Sequence, residues 1–238
     1  MILNKQEIIT ITSKWYIEYT LNMLFSLNEL NLSNIVNVYC LDNESYEQIN
    51  ERGFNGKKIN TKYKITTSPT QFGTYEFNTF MYYKMKVIRD ALKQNKEILY
   101  TDGDVVFKKR NFLQFLDNSI SCDLLAIKDF NVENPQKTSI CAGLMYLKSN
   151  LKIKKIINPK IISKNNFKIQ DQEIINSKRK WINFEFLSQE DYCNGSFYMK
   201  NNKTLNPTVI HFNYIVGDNK KDIMKKYNSW YLDRKSVV

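Results

Sequence analysis

The sequence predicts an α/β protein built on a mostly parallel sheet with helices on both faces. Three observations predict it. Short apolar runs alternate with segments of helical period along the first hundred residues. The run Ile98-Leu99-Tyr100-Thr101 breaks off in Asp102-Gly103-Asp104 before a second apolar run, Val105-Val106-Phe107. At 238 residues and 42% hydrophobic content, the chain can bury one good core, and no linker or repeat marks a second module.

In order, Glu7 to Thr12 alternates as a short strand, and Trp15 to Leu32 has apolar residues at helical spacing with Ser13 as N-cap. Ile35 to Leu41 predicts a second strand, Ser45 to Arg52 a helix and Tyr63 to Thr66 a short strand. An aromatic, glycine-containing loop at Gln71 to Phe77 leads into a helix from about Phe77 to Gln94, which feeds the strand at Glu97 to Thr101. Beyond the acidic pair, Cys122 to Lys128 and Ile140 to Lys148 are strand-like, and Gln170 to Arg179 is helical. Thr208 to Phe212 is a short strand, and Asn219 to Tyr227 is a basic helix ending in Trp230-Tyr231. In open sheets of this class, ligands gather at the carboxyl ends of the strands, where the acidic pair falls.

The formal net charge of +11 admits an anionic partner. The lysines are scattered, however, and recur with asparagine, as in Lys164-Asn165-Asn166 and Lys200-Asn201-Asn202-Lys203, the pattern of an AT-rich genome. Nucleic acid is therefore not the expected partner, although a local positive field suits a diphosphate. Cys40, Cys122, Cys141 and Cys193 form no close pairs and no zinc spacing, which reads as buried thiols in a reducing compartment. No apolar stretch has the length of a signal peptide or membrane span, so a cytoplasmic protein is expected, in the host cytoplasm if the source is viral.

Two carboxylates about 4 Å apart repel by roughly 4 kcal/mol at an effective dielectric near 20, so something positive should sit between Asp102 and Asp104. An ordinary Asp-Gly turn is the competing reading. The flanks favour the first, because a plain surface turn needs no aliphatic strand on either side. His211 is the chain's one histidine, at the end of Val209-Ile210-His211. Two carboxylates and an imidazole suit a borderline divalent ion such as Mn²⁺ and leave positions for phosphate oxygens.

Tyr100-Thr101-Asp102-Gly103-Asp104-Val105-Val106-Phe107 resembles the DxD segment of the nucleotide-diphospho-sugar transferase family, GT-A glycosyltransferases. Four more segments match in order: Lys84; Cys141-Ala142-Gly143-Leu144-Met145-Tyr146; Asp171-Gln172-Glu173-Ile174-Ile175-Asn176; and His211-Phe212-Asn213 followed by Gly217 and Lys221. The resemblance runs from about Ile8 to Trp230. It implies a GT-A (Rossmann-like) sheet in one domain over residues 1–238, with a nucleotide-binding half over about 1–107 and an acceptor-side half over about 108–238.

The resemblance further implies that Asp104 and His211 ligate Mn²⁺, with Mg²⁺ as the alternative, and that Asp102 ligates it or binds the donor ribose. Lys84, or its neighbour Lys86, would stand near the donor sugar and phosphates. Lys220 or Lys221, after the turn at Gly217, would reach the diphosphate. Gly143 would leave room for the sugar ring, and Gly103 would lie against the donor. Thr12, Ser13 and Tyr16 would hold base and ribose. Asp171 and Gln172 would face the transferred sugar, with Gln172 stabilising an oxocarbenium-like centre or with Asp171 or Glu173 as covalent nucleophile.

The expected function is metal-dependent transfer of a sugar from a nucleoside diphosphate, UDP in the first place, to a glycan, protein or lipid hydroxyl, with retention. The rival from another class is a non-catalytic protein that binds sugar nucleotide, glycan or nucleic acid. A pyrophosphorylase should carry a Gly-rich loop after the first strand, and Ile11-Thr12-Ser13-Lys14-Trp15 has no glycine.

Overall fold

The computed structural model describes residues 7–114, 121–131, 134–215 and 219–234. Its first half is a regular alternation of strands β1 (Glu7–Thr12), β2 (Val36–Cys40), β3 (Asn55–Lys58) and β4 (Glu97–Thr101) with helices α1 (Ile17–Asn28), α2 (Asn43–Glu51) and α3 (Tyr75–Gln94). The four strands are parallel, side by side in the order β3-β2-β1-β4. Period-two alternation divides their apolar residues between two cores. Ile8, Val36, Val38 and Leu99 meet Leu21, Leu24 and Leu27 of α1 on one face. Ile9, Ile11, Ile98 and Tyr100 meet Phe80, Met81, Ile88 and Leu92 of α3 on the other. Each fully buried aliphatic residue contributes roughly 1.5–3 kcal/mol to this arrangement.

Local chemistry sets the helix ends. The Asp42 carboxylate accepts from Ser45 N–H at 2.8 Å, and the Thr74 hydroxyl from Phe77 N–H at 3.3 Å. Asn31, with φ of 57°, turns the chain so that Leu32 N–H reaches back to Leu27 C=O at the end of α1.

The second half adds β5 (Val105–Phe107), β6 (Leu124–Asn131), β7 (Asn134–Lys148), α4 (Leu151–Ile156), α5 (Pro159–Lys164), α6 (Asp171–Lys178), β8 (Phe184–Phe186), β9 (Tyr192–Asn194), α7 (Gly195–Asn201), β10 (Val209–His211) and α8 (Asn219–Lys226). The main sheet becomes β3-β2-β1-β4-β7-β6-β8, and β5-β10-β9 form a smaller one. β7 runs antiparallel to β4 and β6, while β8 is parallel to β6, so the sheet is mostly parallel as expected. Between the pairs Ala126↔Met145 and Lys128↔Ile140, β6 advances two residues and β7 five. The surplus is a bulge at Cys141–Leu144, beside the carboxyl end of β4, and bulges re-aim side chains at such places.

Two expectations are corrected. Tyr63 to Thr66 is no strand; the third strand is Asn55–Lys58, whose largely exposed edge carries no apolar alternation for sequence to reveal. Tyr63 instead packs its ring 4.9 Å from that of Phe167. Nor does Ser13 cap a helix from Trp15. A short 3₁₀ turn over Lys14–Tyr16 precedes α1, Tyr16 N–H bonds to the Ser13 carbonyl at 2.9 Å, and the Ser13 hydroxyl is buried without a hydrogen-bond partner. Among the described residues, no helix is long and apolar enough to cross a membrane.

Candidate active site

β4 ends where the acidic turn begins. Asp102 N–H donates to the Gly143 carbonyl at 2.7 Å, and Val105 N–H closes the turn onto the Asp102 carbonyl at 3.3 Å. Gly103 is required by its neighbour. A Cβ there would fall 2.4 Å from Thr20 Oγ1 and 3.0 Å from Thr20 Cα. Its side-chain space is therefore taken by α1.

β10 pairs antiparallel with β5, setting His211 opposite Val105, and Phe212 N–H donates to the Asp104 carbonyl at 3.0 Å. One ligand atom from each of Asp102, Asp104 and His211 then lies within 4.8 Å of the others. His211 Nε2 stands 3.2 Å from Asp104 Oδ1 and 3.8 Å from Asp102 Oδ2. The Asp102 side chain is 21% exposed against 6% for each of the other two, which marks the open side of the cluster.

Gly143 lies under the imidazole. A Cβ there would sit 2.0 Å from His211 Cε1, so the room expected for a sugar ring is filled by His211.

These residues fit a divalent cation. Asp104 Oδ1 is buried and faces His211 Nε2 at 3.2 Å, in the middle of an oxygen, oxygen and nitrogen donor set. Around it, three carboxylates (Asp102, Asp104, Asp171) face two ammonium groups (Lys84, Lys220), leaving one negative charge in excess. A cation, or a proton on His211, balances it. Burial would lower the His211 pKa, but Cys141 and Asp104 beside the ring outweigh burial and raise it well above the ordinary value. For Asp104, burial pushes the other way, and Lys220 and His211 hold the carboxyl well below the usual range.

Of the paired lysine candidates, one from each pair enters the site. Lys84, 2% exposed, lies 3.0 Å from Asp102 Oδ1 and 2.8 Å from Asp171 Oδ2, with the Tyr100 ring 4.8 Å away. Burial would lower its pKa, and Asp102 and Asp171 raise it. Lys84 is thus an internal counter-ion. Lys86 pairs with Asp90 at 2.9 Å outside the site. From α8, Lys220 reaches Asp104 Oδ2 at 2.6 Å, whereas Lys221 pairs with Glu18 at 3.1 Å and covers the Trp230 ring.

α6 delivers the sugar-side candidates. Asp171 faces Lys84, so it is not the helix cap. That end is closed by Glu173, whose carboxylate accepts from Gln170 N–H at 3.5 Å. Gln172 is fixed at both ends of its amide: Oε1 accepts from Ala142 N–H at 3.0 Å and Nε2 donates to Asp129 Oδ2 at 2.8 Å. Asp129 also accepts from Asn213 Nδ2 at 3.2 Å. Sequence reasoning missed this buried carboxylate. A charged residue at the end of the apolar run Leu124 to Ile127 was its one signal.

Thr12, Ser13 and Tyr16 gather at the carboxyl end of β1. Thr12 and Ser13 are buried, and Thr20 Oγ1 donates to Thr12 Oγ1 at 3.0 Å. The Tyr16 phenol is pushed well above its usual pKa by burial first, then by Asp104 and Asp102. Gly217 lies outside the described residues.

The mostly parallel sheet flanked by helices matches that of GT-A glycosyltransferase structures. More particularly, residues 31–224 match the nucleotide-diphospho-sugar transferase model, and the chain belongs to that family. It is 24% identical over 269 residues to the UDP-galactose:fucoside alpha-3-galactosyltransferase of Dictyostelium discoideum, a match covering 91% of this chain and 41% of that protein. The chain thus spans about two-fifths of that relative's length. Among solved structures, galactosyltransferase LgtC in complex with donor and acceptor sugar analogs is similar at a TM-score of 0.61 and 14% identity, over 94% of this chain and 95% of that one. GlyE of Streptococcus pneumoniae TIGR4 gives 0.59 at 16% identity, over 94% and 60%. A glycosyltransferase involved in glycosylating the major capsid of PBCV-1 gives 0.56 at 14% identity, over 92% and 98%. These structures share the fold.

Proposed function

We propose that the chain is a metal-dependent glycosyltransferase that moves a sugar from a nucleoside diphosphate, UDP in the first place, to a hydroxyl of a glycan, protein or lipid, with retention. The convergence of Asp102, Asp104 and His211, with one ligand atom of each within 4.8 Å of the others, carries the reading. The name of the Dictyostelium relative makes UDP-galactose the first donor to test. The residues up to about 107 would serve as the nucleotide-binding half of one domain, and those from about 108 as its acceptor-side half. All four cysteines are free and buried, which suits a cytoplasmic enzyme.

Thr12, Ser13 and Tyr16 receive base and ribose, where stacking on an aromatic ring is worth about 1–3 kcal/mol. Asp102, Asp104 and His211 would hold Mn²⁺ or Mg²⁺, which supplies Lewis-acid neutralisation of charge on a leaving diphosphate. Lys220, beside Asp104, adds positive charge from the protein itself. Lys84, paired with both, holds Asp102 and Asp171 in place. Gln172, held through Ala142 and Asp129, keeps its carbonyl oxygen in a fixed position from which it stabilises positive charge growing at the anomeric carbon.

Asp171 is committed to Lys84 and Glu173 is exposed at the start of α6, which disfavours either as covalent nucleophile. Front-face attack, with the leaving phosphate oxygen taking the acceptor proton, is the step this arrangement supports. Asp104→Asn tests the reading. It should abolish metal-dependent donor turnover with the fold retained, and a variant of normal activity refutes the assignment.

A further inference from the structure

We propose that Cys141 is a positioning residue, fixing the orientation and tautomer of His211; this rests on reading Asp102, Asp104 and His211 as a metal site. The imidazole is met on three sides. Nε2 faces Asp104 Oδ1 at 3.2 Å, and Nδ1 meets Cys141 Sγ, also at 3.2 Å. Gly143, two residues beyond Cys141 on the bulge of β7, presses its backbone against the ring. Both Cys141 and His211 are buried, so water does not replace the sulfur as partner.

The chemistry follows from the two nitrogens. A neutral imidazole carries its proton on one of them, and only the other can ligate. With Nδ1–H donating to Cys141 Sγ, the lone pair of Nε2 points at the acidic pair. Turning the ring over would move Nδ1 away from Sγ and put a carbon in its place.

A second donor marks the sulfur as an acceptor. Asn213 Nδ2 lies 3.9 Å from Sγ, and its amide is held by Gly195 N–H at 2.9 Å and by Asp129 at 3.2 Å. Metal-bound histidines generally give their second N–H to a carboxylate, carbonyl or water, and losing that partner weakens metal affinity by about 10–100-fold. Here a thiol occupies that place.

The chain's one histidine makes the test direct, because ¹⁵N-histidine labelling reports a single imidazole. Mn²⁺ affinity is measured by calorimetry for the wild type, Cys141→Ala and Cys141→Ser, with thermal unfolding as the check on fold. The tautomer is read by ¹H–¹⁵N correlation in the Mg²⁺-saturated wild type. The proposal expects an Nδ1–H tautomer, Mn²⁺ binding weakened about tenfold or more in folded Cys141→Ala, and partial recovery in Cys141→Ser, whose hydroxyl can accept the same bond. An Nε2–H tautomer, wild-type affinity in Cys141→Ala, or a serine variant no better than alanine overturns it. A wild type that binds no Mn²⁺ refutes the metal reading itself, and this proposal with it.

Discussion

Gly143 and His211 compete for one space: a Cβ on the glycine would fall 2.0 Å from the imidazole Cε1 and 2.5 Å from each ring nitrogen. The glycine sits on β7 of the main sheet and the histidine on β10 of the small one, so this contact is where the two sheets close over the acidic turn. Gly143→Ala should expel the ring. The expected result is loss of Mn²⁺ binding, with overpacking that destabilises by about 1–3 kcal/mol. Calorimetry and urea unfolding check both, and wild-type binding in the variant contradicts the geometry.

Lys84 is a buried cation between two carboxylates. Lys84→Met leaves Asp102 and Asp171 without their counter-ion, a change expected to cost about 3–5 kcal/mol in urea unfolding. Lys86→Met, which removes an exposed pair two residues away, should cost less than about 1 kcal/mol. Equal effects would contradict the assignment of Lys84 as the internal ion.

Much of this fold was legible because its first half obeys simple periods. Apolar residues recur at helical spacing along α1 and α3, and the acidic turn breaks off the apolar run of β4. The edge strand Asn55–Lys58 was hidden because it is largely exposed and carries no apolar residue, and β8 and β9 are three residues each. Tertiary contacts hid the rest of the site. Nothing local to Gly143 says that a histidine 68 residues later fills its space, nor that Lys84 faces inward while Lys86 faces outward. Asp129 and Cys141 acquire roles only once the bulge of β7 brings them beside Gln172 and His211.

The two lysines at the start of α8 separate cleanly. Lys220→Ala should reduce kcat by about tenfold or more, since Lys220 is the cation on Asp104, whereas Lys221→Ala should leave turnover near wild type. Steady-state kinetics on the same donor decides it. The reverse ranking would assign the phosphate-side charge to Lys221.

The raised His211 pKa sets the sign of the pH response. A proton and a metal compete for Nε2, so Mn²⁺ affinity should fall as pH drops through a window above the ordinary histidine value of about 6.5. In protein prepared without metal the linkage runs the other way. Stability from the imidazolium is fully present below the unfolded pKa and is lost as pH rises through the folded one. The metal-free Tm should therefore decline toward alkaline pH, and His211→Asn should remove that decline.

The most direct measurement of the central claim is the loss of intact donor from a panel of UDP- and GDP-sugars, UDP-galactose included, incubated with the protein with and without Mn²⁺. One UDP-sugar should be hydrolysed slowly in the presence of Mn²⁺ and remain intact without it. Equal turnover in the absence of metal, or no turnover of any donor with Mn²⁺ bound and a range of glycan acceptors supplied, would contradict the account.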